Sequence, residues 1–307
     1  YQNQVGKSWV VSATYIGNKT THIWSGRELD PAVYIPGLCG GAACSTTKNT
    51  NQRRVLYLQN PAAGSYYSTL AQTDDGANAS YNGVVFTAQH RFTNNYTFLT
   101  NYTWSHCLSS GNFAGDIAGP SYQNPNNRNA DYGNCSFDVR HNFNLSIVAT
   151  MPKLGNTWAN RLLGGWQLAP IFVAHSGAPF TPVTGVDNSL TGVNLDRPNA
   201  VSNPYVQDLG TRRWVTPAAY SANLIGTYGN AGAFSLIGPG YLNLDVSLSR
   251  IFSLKEIARF EVRSEFFNVL NHTNFTNPNG SLNNQNFGVL LASGDPRILQ
   301  LAMKLSF

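Results

Sequence analysis

Apolar and polar residues alternate in seven separate stretches of this chain, an eighth stretch is apolar on both faces, and helix-like spacing is nearly absent. Successive side chains of a strand point to opposite faces, so each alternating stretch predicts a strand with one apolar and one polar face, and the register of the eighth, Gly165–His175, stays open. The predicted strands are Lys7–Ile16, Tyr81–Phe92, Tyr96–His106, Phe137–Met151, Gly165–His175, Tyr241–Phe252, Ile257–Leu270 and Ile298–Phe307. We therefore predict an all-β, antiparallel fold. Arg53–Leu58 is a candidate extra strand within a connection.

The connections between these strands alternate in length. Three are short, namely Asn94-Asn95, Pro152–Gly164 and Ser253–Glu256, and four are long, namely Gly17–Ser80, Cys107–Ser136, Ser176–Gly240 and Asn271–Arg297. Short turns at one rim and long loops at the other are typical of transmembrane β-barrels, whereas long irregular loops count against a compact soluble fold. We expect short periplasmic turns, long extracellular loops and both termini on the short-turn side.

The last strand carries the clearest alternation. Leu299, Leu301, Met303, Leu305 and Phe307 share one face, and Gln300, Lys304 and Ser306 share the other. A membrane-spanning strand needs about 9–11 residues of this kind, although a strand of a soluble sandwich shows the same pattern. A chain that ends on an aromatic strand resembles bacterial outer-membrane barrel proteins. In that class the five apolar residues are the assembly signal read by the barrel-assembly machinery.

Composition agrees with a barrel and excludes a helical membrane protein. Only 11% of the residues are charged, and the mean hydropathy is −0.22. No stretch reaches the 18 or so apolar residues of a transmembrane helix, whereas a barrel strand is apolar on one face only. The net charge of +5 comes from scattered residues, so we expect no nucleic-acid partner.

Four charges follow one another on one face of the seventh strand, at Arg259, Glu261, Arg263 and Glu265. A basic residue at the bilayer midplane costs about 2–4 kcal/mol, so this face cannot contact lipid. The residues are predicted to face the lumen. They form either a charged surface that contacts a plug or a ligand, or a ladder of structural ion pairs, and we favour the ladder.

Cysteine and histidine spacing gives little catalytic signal. Cys39 with Cys44 and Cys107 with Cys135 are the disulfides that position favours, and a zinc site is the alternative. The six histidines lack metal-ligand spacing, and no nucleophile elbow is present. We therefore predict no catalytic residue, no cofactor and no metal, and a protein that is not an enzyme.

Several short sequence segments match a known family in their residues and in their order along the chain. They are Asn101–His106, Phe137–His141, Leu163–Leu168, Ser176–Phe180, Phe260–Phe275 and Asp295–Gln300. Together they resemble the C-terminal barrel of Oar-like TonB-dependent receptors, whose N-terminal domain is carboxypeptidase-regulatory-like. The resemblance implies a 22-stranded barrel with a plugged lumen, of which about eight strands are a sector.

The resemblance also implies a setting in the cell outer membrane. The partners would be outer-membrane lipid, a plug domain and, through the plug, the TonB energy-coupling complex. The function would be uptake of an unidentified solute, with Gly17–Ser80 and Ser176–Gly240 as candidate ligand-contacting loops.

The chain begins at Tyr1 without a signal stretch. We expect residues 1–307 to be the C-terminal part of a receptor barrel whose plug and N-terminal domains lie outside this chain. Two alternatives stay open. One is a complete eight-stranded outer-membrane barrel with a structural or adhesive role. The other is a secreted, soluble, glycan-binding β-protein.

Overall fold

A computed structural model describes residues 1–307 except 94, 112–120, 153–157, 159, 161–163 and 255–256. One large antiparallel sheet dominates it. Its nine principal strands are β1 (Gln2–Val5), β2 (Trp9–Glu28), β3 (Ala71–Thr93), β4 (Tyr96–Ser109), β5 (His141–Thr150), β6 (Trp166–His175), β7 (Tyr241–Leu254), β8 (Ala258–Phe267) and β9 (Ile298–Ser306). A short tenth strand, Gly133–Asn134, pairs with the end of β4. The predicted all-β, antiparallel fold is confirmed.

Strands that follow one another in sequence are neighbours in the sheet, in the order β1 to β9. Each of the eight predicted strands is present, and β1 is an additional strand. Among the described residues, β1 and β9 form the two edges and do not pair with each other. Phe307 follows β9 on the short-turn side, as predicted. The prediction for Tyr1 is wrong, because its amino group donates to the carbonyl oxygen of Ala13, part-way along β2.

The first long connection is shorter than predicted, because β2 and β3 run on as a ribbon through the two ends of Gly17–Ser80, as far as Glu28 and from Ala71. β2 has 20 residues and β3 has 23, and Glu28 still pairs with Ala71. β4 ends opposite Ala79, so Ala71–Asn78 extend the ribbon roughly 25 Å beyond it. Polar residues, glycine and alanine make up most of both faces of this ribbon, which is why no alternation marked it as a strand.

The candidate strand at Arg53–Leu58 is wrong, because the segment is helical. A 3₁₀ turn at Asn51–Arg53 leads into α1 (Val55–Gln59), and α2 (Pro61–Gly64) follows. The carboxylate of Asp30 accepts the backbone N–H of Leu56, 2.8 Å away. It therefore satisfies one of the free donors of the first helical turn.

Two other strands are shorter than predicted at the long-loop rim. The strand predicted at Phe137–Met151 begins only at His141, because Asp138 turns back and accepts the N–H of Cys107. The strand predicted at Ile257–Leu270 ends at Phe267, because Asn268 adopts a φ of 48° in the left-handed region.

The remaining elements all lie in the long connections. Four two-stranded sheets pair Leu38–Cys39 with Ala42–Ala43, Pro179–Phe180 with Leu236–Ile237, Asn199–Ala200 with Tyr220–Ser221, and Tyr205–Asp208 with Arg213–Val215. Further 3₁₀ turns lie at Thr47–Asn49, Arg128–Asp131 and Pro217–Ala219. No helix of the described residues has the length and apolar character needed to cross a bilayer.

No other part of the described chain forms a layer against the apolar face of the sheet. Residues opposite each other on neighbouring strands share a face, and Val262 lies opposite Met303 while Phe266 lies opposite Leu299. Leu299, Leu301, Met303 and Leu305 are 50–74% exposed. The buried apolar cluster of the described residues lies instead in the long connections, around Phe180, Val215, Leu236 and Phe287.

Aromatic rings gather near both ends of the strands on this apolar face. Near the short turns, His90 stacks on Tyr96 with 4.2 Å between ring centroids and lies 4.9 Å from Trp9. Towards the long loops, the Tyr102 hydroxyl lies 2.8 Å from Nδ1 of His141. Two aromatic belts around an apolar band match the depth profile of a bilayer.

The two faces of β9 can be tested with one charge placed on each. Met303→Lys puts an ammonium on the apolar face, and we expect it to lower the free energy of unfolding in phospholipid vesicles by about 2–4 kcal/mol. Gln300→Lys is the matched control, because Gln300 lies opposite Glu265 on the polar face. Equal losses in the two variants, measured by urea titration of the full-length protein, would contradict the assignment of the lipid face.

Candidate functional site in the outer-loop layer

The four long connections fold against one another into one layer above the long-loop rim. We call them L1 (29–70), L2 (110–140), L3 (176–240) and L4 (268–297), and together the outer-loop layer. L3 contacts each of the other three through hydrogen bonds between segments that are far apart in sequence. Loops tied together in this way hold their exposed groups in fixed positions, as a binding surface requires.

L1 and L3 are joined by the buried guanidinium of Arg53, which is only 2% exposed. Its Nη1 donates to the carbonyl oxygens of Val33 in L1 and Leu190 in L3, at 2.6 and 3.0 Å. The N–H of Ala32 donates to the carbonyl oxygen of Thr191 at 2.9 Å. Burial lowers the pKa of Arg53, and the nearby carboxylate of Asp187 opposes that shift.

Arg54 holds the base of L1 to the end of the ribbon. Its Nη1 donates to the carbonyl oxygen of Asp30 at 2.5 Å and lies 3.6 Å from Oε1 of Glu28. The same Glu28 oxygen accepts the N–H groups of Asp30 and Leu70 at 3.0 and 2.9 Å. The buried arginine and glutamate therefore fix the exit from β2 against the entry to β3.

L2 and L3 are joined by a second buried arginine, Arg197. It pairs with the carboxylate of Asp131 and donates to the carbonyl oxygens of Ala231 and Ala130, at 2.7 and 2.8 Å. The backbone N–H of Arg197 donates to Oε1 of Gln123 at 2.7 Å. Burial raises the pKa of Asp131, and the positive charge of Arg197 opposes that shift.

L3 and L4 share backbone hydrogen bonds and the small apolar core. Val183 and Leu282 bond across the two connections, and Trp214 donates to the carbonyl oxygen of Gly288 at 2.8 Å. Gly288 has a φ of 73°, and a Cβ there would collide with the carbonyl oxygen of Val215. This position therefore needs glycine for its backbone conformation and for the close approach of L3.

L3 also encloses two carboxylates, Asp187 and Asp196. Asp187 accepts the N–H groups of Thr191 and Gly192 at 3.2 and 2.9 Å, and Asp196 accepts from Ser189. Burial raises the pKa of Asp196. Burial, with both carboxylates nearby, raises the pKa of Tyr228 to about 12. No group of three or more His, Cys, Asp or Glu among the described residues is placed to hold a metal ion.

Both predicted disulfides are present, so the zinc alternative is wrong. Cys39 pairs with Cys44 within L1, and Cys107 at the end of β4 pairs with Cys135 in L2. Cys135 is fully buried, and its N–H donates to the carbonyl oxygen of Cys107. The second disulfide thus fixes L2 to the sheet close to the ion pair between Asp131 and Arg197.

The four charges predicted on β8 lie together on the polar face of the sheet. Arg263 lies between two carboxylates, with nitrogen–oxygen distances of 2.6 Å to Glu261 and 3.5 Å to Glu265. Across the strands, Glu261 lies opposite Lys304 and Arg259 lies opposite Ser306. These contacts favour the ladder of structural ion pairs. That the residues face a lumen, and that the end of β9 is an assembly signal, stay predictions.

Sequence reasoning found the loops that form this layer and missed the side chains that hold it together. Arg197 and Asp131 are 66 residues apart, and Arg53 and Leu190 are 137 apart. No periodicity links such pairs, and the sequence placed Arg53 only in the candidate strand Arg53–Leu58. The burial of these arginines depends on the tertiary structure alone.

We predict that removing the Cys107–Cys135 disulfide destabilises L2 selectively. Chain entropy for a closed loop with a separation of 28 residues gives a loss of about 3.5 kcal/mol in the free energy of opening. Native-state hydrogen exchange of residues 121–135 in the Cys107→Ser/Cys135→Ser variant measures it. The Cys39→Ser/Cys44→Ser variant should leave this exchange unchanged, and an equal effect there would contradict the prediction.

Arg197→Gln should loosen L2 from L3, because it leaves the buried carboxylate of Asp131 without its counter-charge. We expect a loss of about 3–5 kcal/mol in the opening free energy of both loops by hydrogen exchange. Asp131→Asn in the same chain should restore part of it. Arg212→Gln, at an exposed arginine of L3, is the control.

The loss in Arg197→Gln should also shrink as the pH falls towards about 4. Burial raises the pKa of Asp131 in the folded protein, so protonation of this carboxyl favours the folded layer. A loss that does not depend on pH, or one equal to that of Arg212→Gln, would show that the ion pair does not hold the loops.

Comparison with known proteins agrees with this architecture. The family model described as "Outer membrane beta barrel domain" matches residues 1–300. No curated protein matches the chain. Among solved structures, the outer membrane transporter YddB from Escherichia coli is similar, with a TM-score of 0.51 at 10% identity over 98% of this chain.

Two further structures are matched at lower similarity. The ferric preacinetobactin receptor BauA from Acinetobacter baumannii has a TM-score of 0.41 at 10% identity over 98% of this chain, and the ferric citrate transporter FecA has 0.34 at 11% over 99%. The chain spans 31% of YddB, 35% of BauA and 36% of FecA. The likeness to YddB is one of fold. Matched over residues 1–300, the chain belongs to the outer membrane beta barrel domain family and is a β-barrel protein of the outer membrane.

Proposed function

We propose that this chain forms the C-terminal part of the barrel of a receptor that imports a solute across the outer membrane, and that TonB drives the import. In this proposal a plug domain outside the chain fills the lumen and connects it to the TonB complex. The Oar-like type, with its carboxypeptidase-regulatory-like N-terminal domain, belongs to the same proposal. The barrel family and the fold shared with the transporter YddB support the receptor barrel in general.

The observation that carries the proposal is the ordered outer-loop layer. Here L3 alone runs from residue 176 to residue 240 and is held by Arg53 and Arg197. Burying two guanidinium groups is costly unless their donors are satisfied, and both are surrounded by carbonyl and carboxylate oxygens. The fixed loops suit selective binding of a solute.

The ion-paired polar face supports passage through the barrel. Arg263 between Glu261 and Glu265 presents a face whose charges are locally balanced. Such a face lets a polar domain or a hydrated solute lie against it without an excess of either sign. The protein would act by binding and passage, without making or breaking covalent bonds.

The alternative of a complete eight-stranded barrel has less support. The main sheet has nine principal strands, and its edges β1 and β9 do not pair with each other in the part of the chain that the structure describes. A soluble glycan-binding protein does not agree with membership of an outer-membrane barrel family.

Energy-dependent uptake is the decisive test. Cells with and without the full-length gene are given labelled amino acids, sugars and short peptides. We expect at least one compound to enter faster with the gene, and this gain to disappear when an uncoupler collapses the proton gradient. Arg197→Gln should reduce that uptake, while Arg212→Gln should not. Gene-dependent uptake that survives the uncoupler would indicate a passive barrel and contradict the proposal.

A further inference from the structure

A cavity of about 430 Å³ opens on the polar face of the sheet, at the outer ends of β7, β8 and β9. Tyr241, Asn243 and Asp245 occupy alternate positions at the start of β7, on the same face as the ion-paired charges of β8. Phe267 ends β8, opposite Ile298 at the start of β9. The cavity therefore lies where the outer-loop layer meets the polar face of the barrel.

The floor of the cavity is fixed by two asparagines that use their amide groups internally. Asn268 accepts the N–H of His272 at 3.0 Å and donates to the carbonyl oxygens of His272 and Asp295, at 2.9 and 3.2 Å. Asn274 bonds both backbone groups of Leu242, at 2.8 and 2.9 Å. Asn268 therefore uses both of its amide N–H groups on the protein, whereas Asn274 uses one of its two.

The polar groups of the cavity that the protein leaves available to a ligand are mainly hydrogen-bond acceptors. Oδ1 of Asp245 accepts from Asn243 at 2.8 Å and from the N–H of Asn268 at 2.9 Å. Within the described residues, the second oxygen of Asp245 and the exposed carboxylate of Asp295 have no hydrogen-bond partner. The described residues that line the cavity include no lysine or arginine. Arg297, the nearest basic residue in sequence, directs its Nη1 to the carbonyl oxygen of Val269, 3.4 Å away.

Two aromatic rings complete the lining. The Tyr241 ring stacks on His175 with 5.0 Å between centroids and an interplanar angle of 8°, which fixes its orientation. Tyr241 is 36% exposed and Phe267 is 40% exposed, so both leave surface available. The faces of aromatic rings carry partial negative charge and attract organic cations.

We propose that this cavity binds the ammonium or guanidinium group of a solute. This inference rests on the proposed function and names the class of solute. The two carboxylates have no positively charged residue beside them in the cavity lining, so they repel an anion. A neutral polyol would form hydrogen bonds there but would gain no charge attraction. A group that is cationic, rich in N–H donors and attached to a carbon chain satisfies the acceptors and the rings together.

Binding of agmatine to the purified full-length receptor in detergent, measured by calorimetry, tests the proposal. Glucose and citrate serve as neutral and anionic comparators. Asp245→Asn keeps an acceptor for the N–H of Asn268 and removes the charge, so we expect agmatine to bind at least about tenfold more weakly. Asp295→Asn, at an exposed carboxylate outside the hydrogen-bond network, should weaken binding in the same direction.

Asp75→Asn is the matched control. Asp75 lies on the ribbon, and its exposed carboxylate forms a hydrogen bond with His22. The variant should bind agmatine as the unaltered protein does. Three results would overturn the proposal: no agmatine binding, unchanged affinity in both Asp245→Asn and Asp295→Asn, or tighter binding of citrate than of agmatine.

This test and the uptake test can fail separately, since calorimetry needs no energy source. Gradient-dependent uptake of an uncharged solute, with no agmatine binding, would reject the cationic class and keep the receptor. Agmatine binding without any gradient-dependent uptake would keep the cavity and reject the transport.

Discussion

Solvation of the apolar face by hydrocarbon is the constraint on which the rest of this structure depends. Met303 and its neighbours on β9 are largely exposed, and no second sheet or helix layer in the described part of the chain covers them. In water such a face would expose a continuous apolar surface and promote aggregation. In a bilayer it is the solvated face, while every backbone group still needs a partner within the sheet. An antiparallel meander with long strands supplies those partners for the strands that lie between its edges β1 and β9.

Because of the same constraint, the contacts within the protein that stabilise its fold lie on the polar face of the sheet and in the loops. Because lipid covers the apolar side, the polar side can carry charges that pair locally, as Arg263 does with Glu261 and Glu265. The outer-loop layer meets water, so it needs an interior of its own. Its apolar core is small, and buried arginines provide much of its cohesion. A guanidinium offers five N–H donors, and loops present many carbonyl groups that regular structure leaves unpaired.

Where strands of the sheet end and the loops begin, side chains bond the backbone of the turn. These hydrogen-bonded turns bring the candidate binding groups together. Asn268 turns the chain out of β8 while its side chain bonds both backbone groups of His272. Asp245 accepts the N–H of Asn268 and keeps one oxygen directed to no protein partner among the described residues. At the other side of the sheet, Asp138 and the Cys107–Cys135 disulfide fix L2 in a similar way. A rigid junction of this kind positions groups at the entrance to the barrel.

The sequence by itself determined the strands, their two faces, the alternation of short and long connections, and the positions of the disulfides. These features follow from local patterns, because a strand repeats every two residues and turns depend on a few neighbouring residue types. Only the tertiary structure decided that β2 and β3 continue as a ribbon, that Arg53–Leu58 is helical, and that Arg197 meets Asp131. The ribbon is polar on both faces, so it has no alternation to detect. The buried arginines contact groups 66 and 137 residues away, and such pairings arise from loop packing that no local pattern encodes.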